Sequence, residues 1–232
     1  TNKKLRAFLK EISNQNNDLA QYFLGYIFTE GKYVPKDTNK GIYYYELAAS
    51  NNNASAQFNL GYIYYEGILI SRDINKAIHY LELAANQNFS EAYHVLGILY
   101  YNGECVEKNI KKAFFYWSKS AKLNNPRAEF AIGLIYYTGE FVPRDINKAI
   151  HYFESSSMKN ISSSQYNLGQ IYYDADYVTR NINRSIYFYS LAAEQDVPEA
   201  QFNLGVIFSE NKFIEKDIEK AIRYYKDSSS LN

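Results

Sequence analysis

The sequence predicts an all-α solenoid of six stacked helix pairs. Glycines recur every 36 residues, at Gly25, Gly61, Gly97, Gly133, Gly169 and Gly205, with no insertion. Small, aliphatic and aromatic residues keep fixed offsets from these glycines. Asp or Asn returns at one offset in every repeat, where a second helix would start. A period of this length marks a repeat architecture rather than a globule.

The first helix of each pair, helix A, follows from the residues around the glycine. Five positions before it stand Ala20, Ala56, Ala92, Ala128, Ser164 and Ala200. One before it stand Leu24, Leu60, Leu96, Ile132, Leu168 and Leu204. Two after it the residue is again aliphatic, from Ile27 to Ile207. Three after it stand Phe28, Tyr64, Tyr100, Tyr136, Tyr172 and Phe208. These offsets share one helical face, placing helix A over residues 17–30 of the first repeat. Glycine inside a helix costs about 1 kcal/mol relative to alanine. Six of them in register predict close approach of a neighbouring helix.

The stop comes next. Gly31, Gly67, Gly103 and Gly139 suit a left-handed residue just past the helix. Ala175 and Asn211 take that place in the last two repeats. Alanine tolerates the conformation poorly, so the loop after the fifth helix A is expected to differ. An aliphatic column (Val34, Ile70, Val106, Val142, Val178, Ile214) leads to the caps Asp37, Asp73, Asn109, Asp145, Asn181 and Asp217. Their side chains can accept from the free N–H groups of a first turn. Helix B then runs over about residues 37–49 of the first repeat. In the second repeat its inward columns are Ile74, Ala77, Ile78, Tyr80 and Leu81, and it ends in the small pair Ala84–Ala85. Pro126 and Pro198 open two later helices A, at the position that tolerates proline best. Bulky residues facing small ones in layers account for much of the 25 Tyr and 14 Phe.

Residues 1–13 read as one extra helix B, with the stripe Leu5, Phe8, Leu9 and Ile12 and no helix A before it. Solenoid ends need capping, so further repeats or another domain are expected on at least one side. The chain does not begin with Met and reads as an excerpt of a longer polypeptide.

These residues resemble the Sel1-like repeat, a relative of the tetratricopeptide repeat. The second repeat shows the pattern in full: Ala56, Leu60-Gly61, Tyr64, Gly67, Ile70, Asp73, Lys76-Ala77, Tyr80, Ala84-Ala85. The match covers residues 17–229 as one domain, with repeats at 17–52, 53–88, 89–124, 125–160, 161–196 and 197–232 after a preceding helix B at 1–16. Ser185 for Ala and the closing Ser pairs are departures from it. The resemblance implies a right-handed superhelix of antiparallel helix pairs with helices A lining a concave face. It also implies adaptor roles.

By the same resemblance, groove positions lie at −6, −3, +1, +4 and +5 from the glycine. A tyrosine ladder, Tyr65, Tyr101, Tyr137 and Tyr173, holds position +4 of repeats two to five, flanked by Thr29 and Ser209. Tyr26 and Tyr62 hold position +1, and His94 stands among the aromatics at −3. Tyrosine offers contact area, little side-chain entropy and a polar handle, so the expectation is a protein or peptide partner on this stripe. The aromatics at −3 could equally be core.

Two basic columns recur: Lys36, Arg72, Lys108, Arg144, Arg180 and Lys216, then Lys40, Lys76, Lys112, Lys148, Arg184 and Lys220. They read as a solvated edge paired with nearby acids, or else as a ridge for an acidic partner. With 25 basic and 25 acidic residues the formal net charge is zero. That balance argues against nucleic acid. No apolar run is long enough to cross a membrane.

Catalytic and cofactor motifs are absent from the sequence. His79 and His151 are expected roughly 20 Å or more apart, two layers of about 8–10 Å each. Cys105 is the one cysteine, which excludes an intrachain disulfide. The expectation is a non-enzymatic, cytoplasmic interaction scaffold without cofactor, its oligomeric state left open. Two alternatives stand beside it. One is a quality-control adaptor in the endoplasmic reticulum lumen, for which the sequons at Asn53, Asn88, Asn160 and Asn183 would serve. The other is a regulatory module of a polypeptide carrying a catalytic domain such as a kinase.

Overall fold

The computed structural model describes residues 17–32, 34–174, 178–210 and 214–229, with Ala7 and Glu11 before them. Apart from those two residues, the extra helix expected over 1–13 lies outside the described residues; so do Ala175 and Asn211. Twelve α-helices and no strands occur among the described residues. They fall in two compact units, residues 1–125 and 126–232. The first holds α1 (Asp18–Glu30), α2 (Thr38–Ser50), α3 (Ala54–Glu66), α4 (Ile74–Asn86), α5 (Ser90–Asn102) and α6 (Ile110–Lys122). The second holds α7 (Pro126–Thr138), α8 (Ile146–Met158), α9 (Ser162–Tyr173), α10 (Ile182–Ala193), α11 (Pro198–Glu210) and α12 (Ile218–Ser229). Odd-numbered helices are the expected helices A, and even-numbered ones are helices B.

Helices B begin, and the first four helices A end, at caps set by local chemistry. The carboxylate or amide of Asp37, Asp73, Asn109, Asp145, Asn181 and Asp217 accepts the backbone N–H three residues on, at 2.9–3.1 Å. The Lys40 ammonium and backbone N–H hold the Asp37 carboxyl below the usual carboxylate range. Gly31, Gly67, Gly103 and Gly139 take φ of 69–74° as left-handed C-caps. Replacing Asn109 by alanine is expected to cost about 1 kcal/mol. A lower urea midpoint at constant slope is the readout, and an unmoved midpoint would show that water caps α6 equally well.

A second left-handed column was not anticipated. Asn52, Asn88, Asn124 and Asn160 have φ of 61–64°, and Asp196 has 56°. The next residue's N–H returns to the helix-B end, as from Asn53 to the Ala48 carbonyl at 3.0 Å. This closes each helix B, and Asn is the side chain after glycine that bears that backbone best.

The hairpins interlock through the glycine column. A methyl group at Gly133 would lie 2.6 Å from the Phe153 ring, and one at Gly169 would lie 2.5 Å from the Tyr189 ring. Tyr45, Trp117 and Tyr225 fill the same position against Gly25, Gly97 and Gly205. The approach predicted from the glycines is therefore mostly a bulky helix-B side chain lying over helix A. At Gly61 the filler is only Leu81, and there the backbone itself comes near, with the Leu81 nitrogen 3.0 Å from an added methyl. Ala77, Ala113 and Ala149 complete the seam and are fully buried. Ser185 keeps the seam in the fifth repeat because its hydroxyl donates to the Gly169 carbonyl at 2.8 Å.

Candidate partner-binding face

Residues at −3, +1 and +4 are spaced four and three apart, so they share one stripe of helix A. On α3 that stripe is Phe58, Tyr62 and Tyr65. Phe58 and Tyr62 stack at 6.0 Å, Tyr62 and Tyr65 lie 6.2 Å apart, and Phe58 stacks on Phe89 of the next repeat at 5.0 Å. These rings form one continuous patch within the first unit. Tyr62 and Tyr26 are each 42% exposed.

The ladder tyrosines Tyr65, Tyr101, Tyr137 and Tyr173 are half-buried. Tyr101 leans on Trp117 at 5.3 Å and Tyr137 on Phe153 at 6.4 Å, so each also braces its hairpin. Burial raises the Tyr65 hydroxyl above its usual range, which keeps it a neutral hydrogen-bonding group at neutral pH. The ladder stops at small hydroxyls on both sides. Thr29 is buried and donates to the Gly25 carbonyl at 2.9 Å, while Ser209 Oγ lies 3.1 Å from the Tyr225 hydroxyl. His94 is half-buried beside the Gly97 seam, and its carbonyl accepts the Trp117 indole N–H at 3.2 Å.

The basic columns do more than edge the surface. Arg72, Lys108, Arg144 and Arg180 each lie over a ladder ring, at 5.1–5.9 Å from its centre. The second column covers the aromatic at +3 in all six repeats. Lys40, Lys76, Lys112, Lys148, Arg184 and Lys220 lie 4.3–5.7 Å from Phe28, Tyr64, Tyr100, Tyr136, Tyr172 and Phe208. Beneath each of those rings a helix-B ring stacks at 5.7–6.0 Å, from Phe28–Tyr44 to Phe208–Tyr224. A cation over such a pair gains roughly 0.5–1 kcal/mol at an exposed site. The expected acid pairs occur as well, with Lys40–Asp37 at 2.7 Å and Lys148–Asp145 at 3.2 Å. Within this stack burial, helped by Glu82, pushes the Tyr116 hydroxyl up to about 12.

Among the described residues no three His, Cys, Asp or Glu side chains gather as a metal site would need, and Cys105 is exposed. No described helix is long and apolar enough to cross a membrane.

Helical hairpins interlocked by glycine and bulky residues, with aromatic stripes on helix A, define a helical-repeat binding protein. The Sel1 repeat model matches six times, over residues 18–53, 54–89, 90–125, 126–161, 162–197 and 198–232. The chain belongs to the Sel1-repeat family, whose members mediate protein–protein interaction. A Sel1 repeat protein from Oxalobacter formigenes is 30% identical, with a TM-score of 0.85 over 94% of this chain and 89% of its own. A protective antigen of uropathogenic Escherichia coli, described as having an SLR fold, is 27% identical with a TM-score of 0.90. That match covers 97% of this chain and 48% of the antigen, so the chain spans about half its length. An immunity protein from Pseudomonas aeruginosa shares the fold at 17% identity and a TM-score of 0.59, over 92% of this chain and 81% of its own. No curated protein matched.

Proposed function

We propose that the chain is an adaptor that holds a protein partner against its helix-A face, without chemistry of its own. In the family geometry this face is the concave one. The continuous patch of Phe58, Tyr62, Tyr65 and Phe89 carries this reading. Elsewhere in the first unit, exposed helix-B rings such as Tyr43 and Phe115 each sit edge-on to a ring of their own helix. The patch instead runs from one repeat into the next, as an extended peptide would require. Aromatic clusters of this kind dominate binding energy at interfaces.

The reading carries a cytoplasmic setting. Asn53 is already engaged at both side-chain atoms, accepting from the Ala56 N–H at 2.9 Å and donating to Asp18 at 2.8 Å. A glycan on its nitrogen would crowd that junction between repeats, which weighs against the lumenal alternative at this sequon.

Affinity capture with two variants tests the face. Tyr62→Asp is expected to lose at least nine-tenths of the captured partner while its circular dichroism stays that of the wild type. Phe115→Asp, on helix B of the same unit, is expected to retain it. The opposite pattern would move the binding surface to helix B.

A further inference from the structure

The second unit holds a cavity of about 220 Å³ between α9 and α11, walled mainly by Tyr166, Tyr173, Tyr189, Gln170, Asp174 and Asn203. Tyr189, the bulky residue over Gly169, is almost wholly buried and forms the floor. Tyr166 tilts against it at 5.7 Å and 53°, and Tyr173 packs on the same core cluster. The Tyr189 hydroxyl is hydrogen-bonded to the Asn203 side chain, which fixes the floor ring. Asp174 caps α9 in extended conformation and stands close enough for its charge to act on Tyr189. Its carboxylate has no hydrogen-bond or ion-pair partner among the described residues.

Only the fifth repeat puts tyrosine at all three ring positions with an acid at +5. The fourth has Phe130, Tyr137, Phe153 and Thr138 there; the third has His94, Tyr101, Trp117 and Asn102; the first has Thr29 in place of the ladder ring. Ring faces are electron-rich and attract cations, most of all where water is thinned out. A carboxylate at the rim adds a full opposite charge. Arg180 lies 5.9 Å from the Tyr173 ring centre, which shows that this ring already attracts a cation.

We infer that this cavity is a binding site for an alkylammonium group, the side chain of a lysine on a bound peptide. The butyl chain lies against the tyrosine faces and Val206, and the ammonium reaches Asp174. The inference deepens the adaptor reading, since the cavity opens among the same helix-A positions, −3, +1, +4 and +5. It also stands on chemistry that needs no partner protein.

The test therefore uses small probes on the whole chain. Nα-acetyl-lysine methylamide is titrated against Nα-acetyl-norleucine methylamide, which keeps the four-carbon chain and lacks the ammonium, by backbone amide NMR. The lysine probe is expected to shift Gln170, Tyr173, Asp174 and Asn203 with a millimolar dissociation constant, and the norleucine probe at least fivefold more weakly. Asp174→Asn is expected to weaken the lysine probe at least fivefold, and Tyr173→Leu more. Equal binding of both probes, shifts away from these residues, or an Asp174→Asn variant that binds normally would overturn the site. If the probes fail while Tyr62→Asp still abolishes capture, the adaptor reading survives and the ammonium site does not. If the probes bind and Tyr62→Asp changes nothing, the reverse holds.

Discussion

Replacing Gly97 by leucine is expected to destabilise the first unit by about 3–5 kcal/mol, through overpacking at a fully buried seam. The reason is local and steric. The first carbon of any side chain at Gly97 collides with the Trp117 indole. The indole cannot swing aside, because its N–H is tied to the His94 carbonyl at 3.2 Å and the ring is 5% exposed. Leucine adds three further carbons in the same place. Either α6 separates from α5 or the α5 backbone distorts. Urea unfolding followed by circular dichroism gives the size of the loss. Trp117→Ala in the same chain should restore part of it, so that the two changes together cost at least 1 kcal/mol less than their sum. A Gly97→Leu variant that melts with the wild type would show that the glycine column does not hold the hairpins together.

The repeat, its caps and its seam were legible because each depends on residue type at a fixed offset. Asp and Asn at the start of helix B, and glycine past the end of helix A, have few substitutes on physical grounds. Which residue filled the glycine notch was not legible. Leu81, Trp117 and Tyr189 differ too much in type to announce one role, though their spacing of 20 from the glycine could have done so. The basic columns were visible as columns, but their place over ring faces was not, since an exposed lysine and a ring-covering lysine look alike in sequence. For the ladder, sequence gave the positions and left the burial open. Tyr65 and its equivalents are half-buried; Tyr65 packs against the core clusters of both its own repeat and the next. The signal missed outright was the column four before the glycine: Gln21, Gln57, Tyr93, Glu129, Gln165 and Gln201. Polar residues at a helix surface attract no notice, yet all of them but Tyr93 are at least nine-tenths buried.

Gln57 shows what that column does, and Gln57→Leu is expected to cost about 2–4 kcal/mol, from the loss of three hydrogen bonds made by one buried side chain. Its amide donates to the Ala49 carbonyl at the end of α2, at 3.2 Å, and to Asn52 Oδ1 in the left-handed turn, at 3.4 Å. Its oxygen accepts from Gln87 at the C-cap of α4, at 2.7 Å. One buried side chain thus pins the ends of two successive helices B, the contact through which one repeat registers on the next. Gln165 repeats the arrangement with Ser157 and Gln195. The third repeat solves the same problem differently, with Tyr93 and Leu123 in the two columns. Transplanting that pair tests the account. Gln57→Tyr with Gln87→Leu should be more stable than the sum of the two single changes by at least 1 kcal/mol, because an apolar contact then replaces the hydrogen bond that either single change breaks. Simple additivity in urea midpoints would mean that the two columns do not act on each other. Repeat register would then rest on the apolar contacts of Leu60, Ala56 and Ala48 alone.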